Sequence, residues 1–165
     1  MTEGRDRLAF LGFTDSDARL LAALKPWAEG MVRGFAREFY QRTYGNPNFN
    51  TAFSNPEAIR EKLEEVHAQH CLDLFGGWPD AVYLRDRQRL GRIYADLNVA
   101  PAWLIISYQV YYDYLYPAVG RKLQMCPRSS EQALGALNKL LIFDRCIILD
   151  TYAKAVAERL RGSAG

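Results

Sequence analysis

Arg89-Leu90-Gly91-Arg92-Ile93-Tyr94-Ala95-Asp96-Leu97-Asn98-Val99-Ala100-Pro101-Ala102-Trp103 carries the end of one helix and the entry to the next. Read backwards from Tyr94, the positions Leu90, Arg87 and Tyr83 recur at steps of four, three and four residues, and Leu97 extends the series forwards. That period places one face of the helix inward and aims Tyr94 and Arg87 at whatever lies inside. Pro79-Asp80 opens this helix and Pro101 opens its successor, because proline's missing N–H and fixed φ suit a first turn.

Working outward, the same helical grammar fills the chain. Thr14-Asp15-Ser16-Asp17 is an N-cap region for a helix through Leu20, Leu21 and Leu24, expected to stop near Pro26. A second helix is expected from about Ala28 to Tyr44, with the stripe Met31, Phe35, Phe39 and Tyr40, ended by Gly45-Asn46-Pro47. A short irregular stretch carries Phe49 and Phe53. Ser54-Asn55-Pro56-Glu57 then starts a helix whose face reads Ile59, Leu63, Val66, His70 and Leu74, ended by Gly76-Gly77. From Pro101 a long helix runs through Trp103, Ile106, Val110 and Tyr114 to about Leu123. After a loop from Met125 to Ser129, the last helix starts at Ser130-Glu131 and repeats Leu134, Leu137, Leu141, Ile148 and Tyr152. No segment alternates as a strand would. The expectation is a single all-α domain over residues 1–165, with no output domain.

The totals narrow the function. Twenty-one basic and 19 acidic residues give a net charge of +2. No basic run marks a nucleic-acid partner. The N-terminus has no signal-peptide core, and no apolar stretch reaches the ~20 residues that a membrane span needs. Cys71, Cys126 and Cys146 are odd in number and lack metal-ligand spacing, so they read as free thiols of a cytoplasmic protein. Ten tyrosines and eight phenylalanines point to a lined cavity.

Several short motifs, taken in order, resemble the sensor globins, the group of protoglobins and globin-coupled sensors. Phe39-Tyr40 resembles the family's Phe-Tyr pair late in the second helix. Asn55-Pro56-Glu57 with Leu63 resembles the start and distal leucine of the E helix, and Leu74-Phe75-Gly76-Gly77 its end. The stretch quoted first resembles the F helix and the entry to the G helix. The resemblance covers roughly residues 7 to 155 and implies a globin fold with long G and H helices. It also implies a two-fold homodimer through those helices, to which Leu140, Ile142, Ile147 and Leu149 are expected to contribute. One departure stands out. The family's proximal histidine, the protein ligand to haem iron, falls on Tyr94.

Three readings follow, and the residues leave all of them open. The leading one is a biliverdin-type bilin, which needs no axial ligand. Tyr40, Phe53, Tyr94, Trp103 and Tyr108 would wall it. Arg85, Arg87, Arg89 and Arg92 would meet its propionates, and Asp86 or Asp96 its pyrrole N–H groups. The chain is similar in outline to standalone bilin-binding globins related to phycobiliproteins, which suggests a carrier, a light sensor or a partner in tetrapyrrole metabolism. The second reading is a haem gas or redox sensor with another ligand. Tyr94 as tyrosinate needs a nearby cation to depress its pKa. His67 and His70 lie about 6 and 10 Å past Leu63 along the helix axis. The third reading is a cofactor-free interaction module. The cofactor set is therefore Tyr40, Phe53, Leu63, His67, His70, Arg87, Leu90, Tyr94, Trp103 and Tyr108. No nucleophile motif or phosphate loop suggests an enzyme. Glu64-Glu65 with His67 and His70 lacks a third metal ligand, and Cys71 is the thiol nearest to a covalent bilin attachment.

Overall fold

The computed structural model describes residues 2–47 and 57–162. Its helices are α1 (Thr2–Phe10), α2 (Asp15–Glu29), α3 (Val32–Thr43), a 3-10 turn at Glu57–Ile59, α4 (Arg60–Asp73), α5 (Ala81–Asp96), α6 (Pro101–Ser107), α7 (Gln109–Lys122) and α8 (Pro127–Gly162). Among the described residues there is no strand. The expected all-α architecture is what the chain adopts. On the resemblance drawn from the sequence, α4 corresponds to the E helix, α5 to the F helix, α6 with α7 to the G helix, and α8 to the H helix.

Local chemistry accounts for most boundaries. Thr14 caps α2 in a reciprocal box: its Oγ1 accepts from the Asp17 N–H at 3.2 Å, and Asp17 Oδ2 accepts from the Thr14 N–H at 3.1 Å. Contrary to the sequence expectation, α2 does not stop at Pro26 but continues to Glu29. Leu24 and Ala28, on either side of the proline, are both buried, and their packing holds the turn that proline weakens. The last helix starts at Pro127, three residues before the expected Ser130. α1 was not anticipated.

The G helix is interrupted at Tyr108 rather than continuous. Ser107 Oγ donates to the Leu104 carbonyl at 2.8 Å, the acceptor that an unbroken helix would offer to the Tyr108 N–H. That N–H turns to Ile105 instead, at 3.3 Å. A serine competing for its own helix's carbonyl is a known way to break the ladder. At the end of α5, Asn98 takes φ 57°, and the Val99 N–H returns to the Tyr94 carbonyl at 3.0 Å. Asparagine tolerates this left-handed turn better than other side-chain-bearing residues.

Two close approaches divide the domain around a central gap. A Cβ at Gly91 would stand 2.5 Å from the Ile148 carbonyl and 2.9 Å from Thr151 Cβ, so α5 lies with its backbone against α8. On the other side α4 packs on α3, where Phe39 meets the His67 ring at a centroid separation of 4.0 Å. The pair α4/α3 and the pair α5/α8 thus face one another. This arrangement corrects the reading of α4. Val66 is 38% exposed, whereas His67 is 2% exposed, and the inward series is Leu63, His67, Cys71 and Leu74. The two candidate series differ by about one residue, or ~100° of rotation. The aromatic surface of α3 decides between them.

Candidate functional site

The gap between the E and F helices holds a cavity of about 10 Å³. Six of the expected residues line it: His67, His70, Arg87, Leu90, Tyr94 and Tyr108. Tyr40, Leu63 and Trp103 are not among its lining residues. The Tyr40 hydroxyl turns away to donate to Glu57 at 3.0 Å, and the Arg60 guanidinium sits 5.0 Å over its ring. Leu63 and Trp103 pack at the margin of the core. Phe53 lies outside the described residues, as do Phe49 and Asn55-Pro56. The sequence reading did not assign Phe39, Leu104, Ser107, Tyr111, Asp144 and Ile148 to the site, although they complete the wall, nor Tyr44 beside it. Asp144 sits amid the apolar residues of α8, where a lone buried carboxylate is a signal in itself.

Arg87 fills one end of the gap. It is 1% exposed, and its Nη1 donates to Asp73 Oδ2 at 2.6 Å, its Nη2 to the His70 carbonyl at 2.9 Å and its Nε to Asp144 Oδ1 at 3.3 Å. The Tyr83 hydroxyl donates to the same Asp144 oxygen, and the guanidinium lies 3.8 Å over the Tyr83 ring. Burial pushes the Asp144 carboxyl up despite the nearby Arg87 cation. A buried arginine persists only when paired in this way. The expected role of Arg87 as a propionate contact is therefore corrected, because two carboxylates and a carbonyl already use its donors. Arg85, Arg89 and Arg92 are exposed and form a solvated face.

The other end of the gap is a run of aromatic and imidazole groups. Tyr44 Oη lies 3.2 Å from His67 Nε2 and is also hydrogen-bonded to Tyr94. His67 Nδ1 is buried without a partner. Burial holds His67 well below the usual imidazole range, with the neighbouring His70 adding to the effect. His70 is lowered to about 3 by burial and by the Arg87 cation. Both rings are thus neutral near pH 7. Burial raises the Tyr94 phenol far above its ordinary value, and the hydrogen bond from Tyr44 only partly opposes this. Arg89 and Arg92 are exposed, and Arg87 is neutralised by its carboxylates. Among the described residues, then, none of the arginines expected near Tyr94 stands beside it as an unpaired cation, which leaves the tyrosinate expectation without support. Cys71 is fully buried and its thiol is pushed up by burial, so it is no site for attaching a bilin.

As a test of cofactor fit, the donor set suits haem on one decisive count, a neutral buried imidazole with an unpartnered nitrogen. Among the described residues no arginine is free inside the gap to meet the propionates that haem and a bilin share, and Asp96, one of the two carboxylates expected to meet bilin pyrroles, is exposed. Among the described residues no three His, Cys, Asp or Glu side chains converge to hold a bare metal ion, and no helix is long and apolar enough to cross a membrane.

A family model described as Protoglobin matches residues 1–158. The Heme-based aerotactic transducer HemAT of Halobacterium salinarum is 30% identical over 163 residues, which take in 93% of this chain and 33% of that protein. The chain thus spans about one third of that relative's length. The globin domain of a Geobacter sulfurreducens globin-coupled sensor superposes with a TM-score of 0.81 over 90% of this chain and 96% of that one, at 24% identity. The last likeness is one of fold, and the fold is that of a globin.

Proposed function

The chain belongs to the protoglobin family, and we propose that it is a haem-binding sensor globin in which His67, on the E helix, is the residue that ligates iron. The observation that carries this is the bare, buried Nδ1 of His67. An unsatisfied polar atom in a dry interior costs about 1–3 kcal/mol. Such a cost is understandable where a metal can take up the lone pair. Bound haem would supply an iron whose ligand state or oxidation state is the signal.

The chain's own residues would hold the group. Phe39, Tyr94, Tyr108 and Tyr111 give flat apolar walls, and His67 gives the nitrogen. The present cavity has room for about one water. Binding therefore requires α4 to move away from α5. Gly91 locks α5 onto α8, so the α4/α3 side is the one that yields. The sensing role extends to this chain what the halobacterial relative's name says of that protein.

The proposal includes a cytoplasmic two-fold homodimer through the G and H helices. Leu140 and Ile147, expected at that face, are instead buried in the chain's own core. Asn138, Ile142, Arg145, Leu149 and Tyr152 remain as a half-buried stripe along α8 for a partner copy.

The purified chain is titrated with ferric haem and, separately, with biliverdin, and scanned from the ultraviolet to the near infrared. A haem Soret band that is shifted or lost in His67→Ala, and kept in His70→Ala, is expected. Haem binding indifferent to His67→Ala overturns the ligand assignment. A sharp red band with biliverdin and no haem binding restores the bilin reading. Light scattering should give twice the chain mass.

A further inference from the structure

The outer faces of α4 and α5 carry charges that the chain does not use on itself. On α5, Arg85, Arg89 and Arg92 follow at steps of four and three residues, which puts them on one side of the helix, turned away from the gap that Arg87 and Tyr94 face. All three are exposed, and among the described residues none is paired with a carboxylate. Arg85 and Arg89, four residues apart, repel each other along the helix. Val82 and Ile93 border the stripe and are 50% and 39% exposed.

On the other side of the gap, the outer surfaces of α3 and α4 form a groove of about 770 Å³. Its floor is apolar and low: Val32, Ala36, Ala68 and Leu72. Glu61, Glu64 and Glu65 line the α4 wall, and Glu29 adds a fourth carboxylate. Arg60 holds Glu64 at 2.8 Å, but Glu29, Glu61 and Glu65 are exposed and unpaired among the described residues. The α3 wall carries Arg33 and Arg37, so four glutamates outnumber two arginines.

We propose that the arginine stripe of α5 docks in the α3/α4 groove of a second copy of the chain, with Arg85, Arg89 and Arg92 against the acidic α4 wall and Val82 and Ile93 on the apolar floor. Asp86, about 120° round the helix from Arg92, then faces the basic α3 wall. The lengths agree, since Val82 to Ile93 and Glu61 to Leu72 each span about 16 Å of helix. Both halves of this charge match lie on one chain, which singles out a second copy as the occupant. They lie on opposite sides of the domain, so the contact is head to tail and links copies in an open series. It shares no residue with the half-buried stripe of α8 and needs no cofactor, so it stands or falls separately from the haem reading.

The test is the mass of the whole chain by light scattering over a range of concentrations, at low and at raised salt. At low salt the mass should climb with concentration past that of a dimer. Raised salt should return it to the smallest species, because exposed charges are screened. Reversing the stripe (Arg85→Glu with Arg89→Glu and Arg92→Glu) or the groove (Glu61→Arg with Glu65→Arg) should each abolish the climb, with circular dichroism unchanged. An equimolar mixture of the two variants should associate again, because one keeps the acidic groove and the other the basic stripe. A wild-type mass that stops at a dimer at low salt overturns the contact. So does a climb that survives in either variant, or a mixture that stays as small as its parts.

Discussion

At the residue scale the deciding feature is how polar groups survive in a closed interior. Arg87 and Asp144 exemplify one solution, mutual neutralisation, in which Tyr83, Asp73 and the His70 carbonyl take up the remaining bonds. Replacing Asp144 with Ala leaves the guanidinium with one carboxylate and Tyr83 without its acceptor. Loss of one partner of a buried pair costs about 3–5 kcal/mol, so Asp144→Ala should lower the urea midpoint sharply. A loss below about 1 kcal/mol, the range of an exposed pair, would mean that water reaches the cluster. His67 exemplifies the other solution, a neutral ring with one nitrogen left over.

At the element scale the two halves of the domain are built differently. α5 meets α8 backbone to backbone at Gly91, with no side chain that can step aside from the Ile148 carbonyl. Gly91→Ala must push the helices apart, and overpacking of this kind costs about 1–3 kcal/mol. Chemical denaturation should reveal that loss, and Thr151→Ala should not recover it, because alanine keeps the Cβ that makes the second contact. α2 is anchored by its cap and by Lys139, whose Nζ donates to Asp17 at 2.8 Å. Thr14→Ala should cost about 1 kcal/mol, the usual value of a lost N-cap. Burial, the largest single influence, pushes the Asp17 carboxyl up, but its bonds to Lys139, Gln132 and the Thr14 N–H, with the Lys139 charge, together hold it below its ordinary range.

At the scale of the whole molecule, the buried histidines couple stability to pH. The folded values of His67 and His70 lie below the ordinary 6.5, that of His70 at about 3. As pH falls through 6.5 the unfolded chain takes up protons that the folded chain refuses, so stability drops on acidification. Each histidine contributes about 1.4 kcal/mol per pH unit within that window. Asp144, raised by burial, has the opposite sign, because its folded form takes a proton first, and it acts only nearer its own range. Urea titrations at pH 7.5, 6 and 5 should therefore show falling stability, with about half the slope in His67→Gln. A flat profile would mean that the gap is open to water.

The sequence by itself determined most of the helices, their order and the inward face of α5, because those follow from short-range signals: Thr14 and Asp80 as caps, Pro101 at a first turn, and the period from Tyr83 to Tyr94. It also singled out Tyr94 as the anomaly of the site, since that required only its place in the stripe. The tertiary structure decided which polar residues are free to act. Arg87 looked available for a propionate until Asp73 and Asp144, 14 and 57 residues away, were found at its donors. Tyr40 looked like the pocket tyrosine, but Tyr44, four residues on, is the one that reaches His67. Val66 looked buried and His67 marginal until Phe39 packed on the His67 ring. In each case the sequence places a side chain on a helix, and only the neighbouring helices determine whether its polar atoms are already satisfied. That is a property of partners distant in sequence, to which local periodicity is blind.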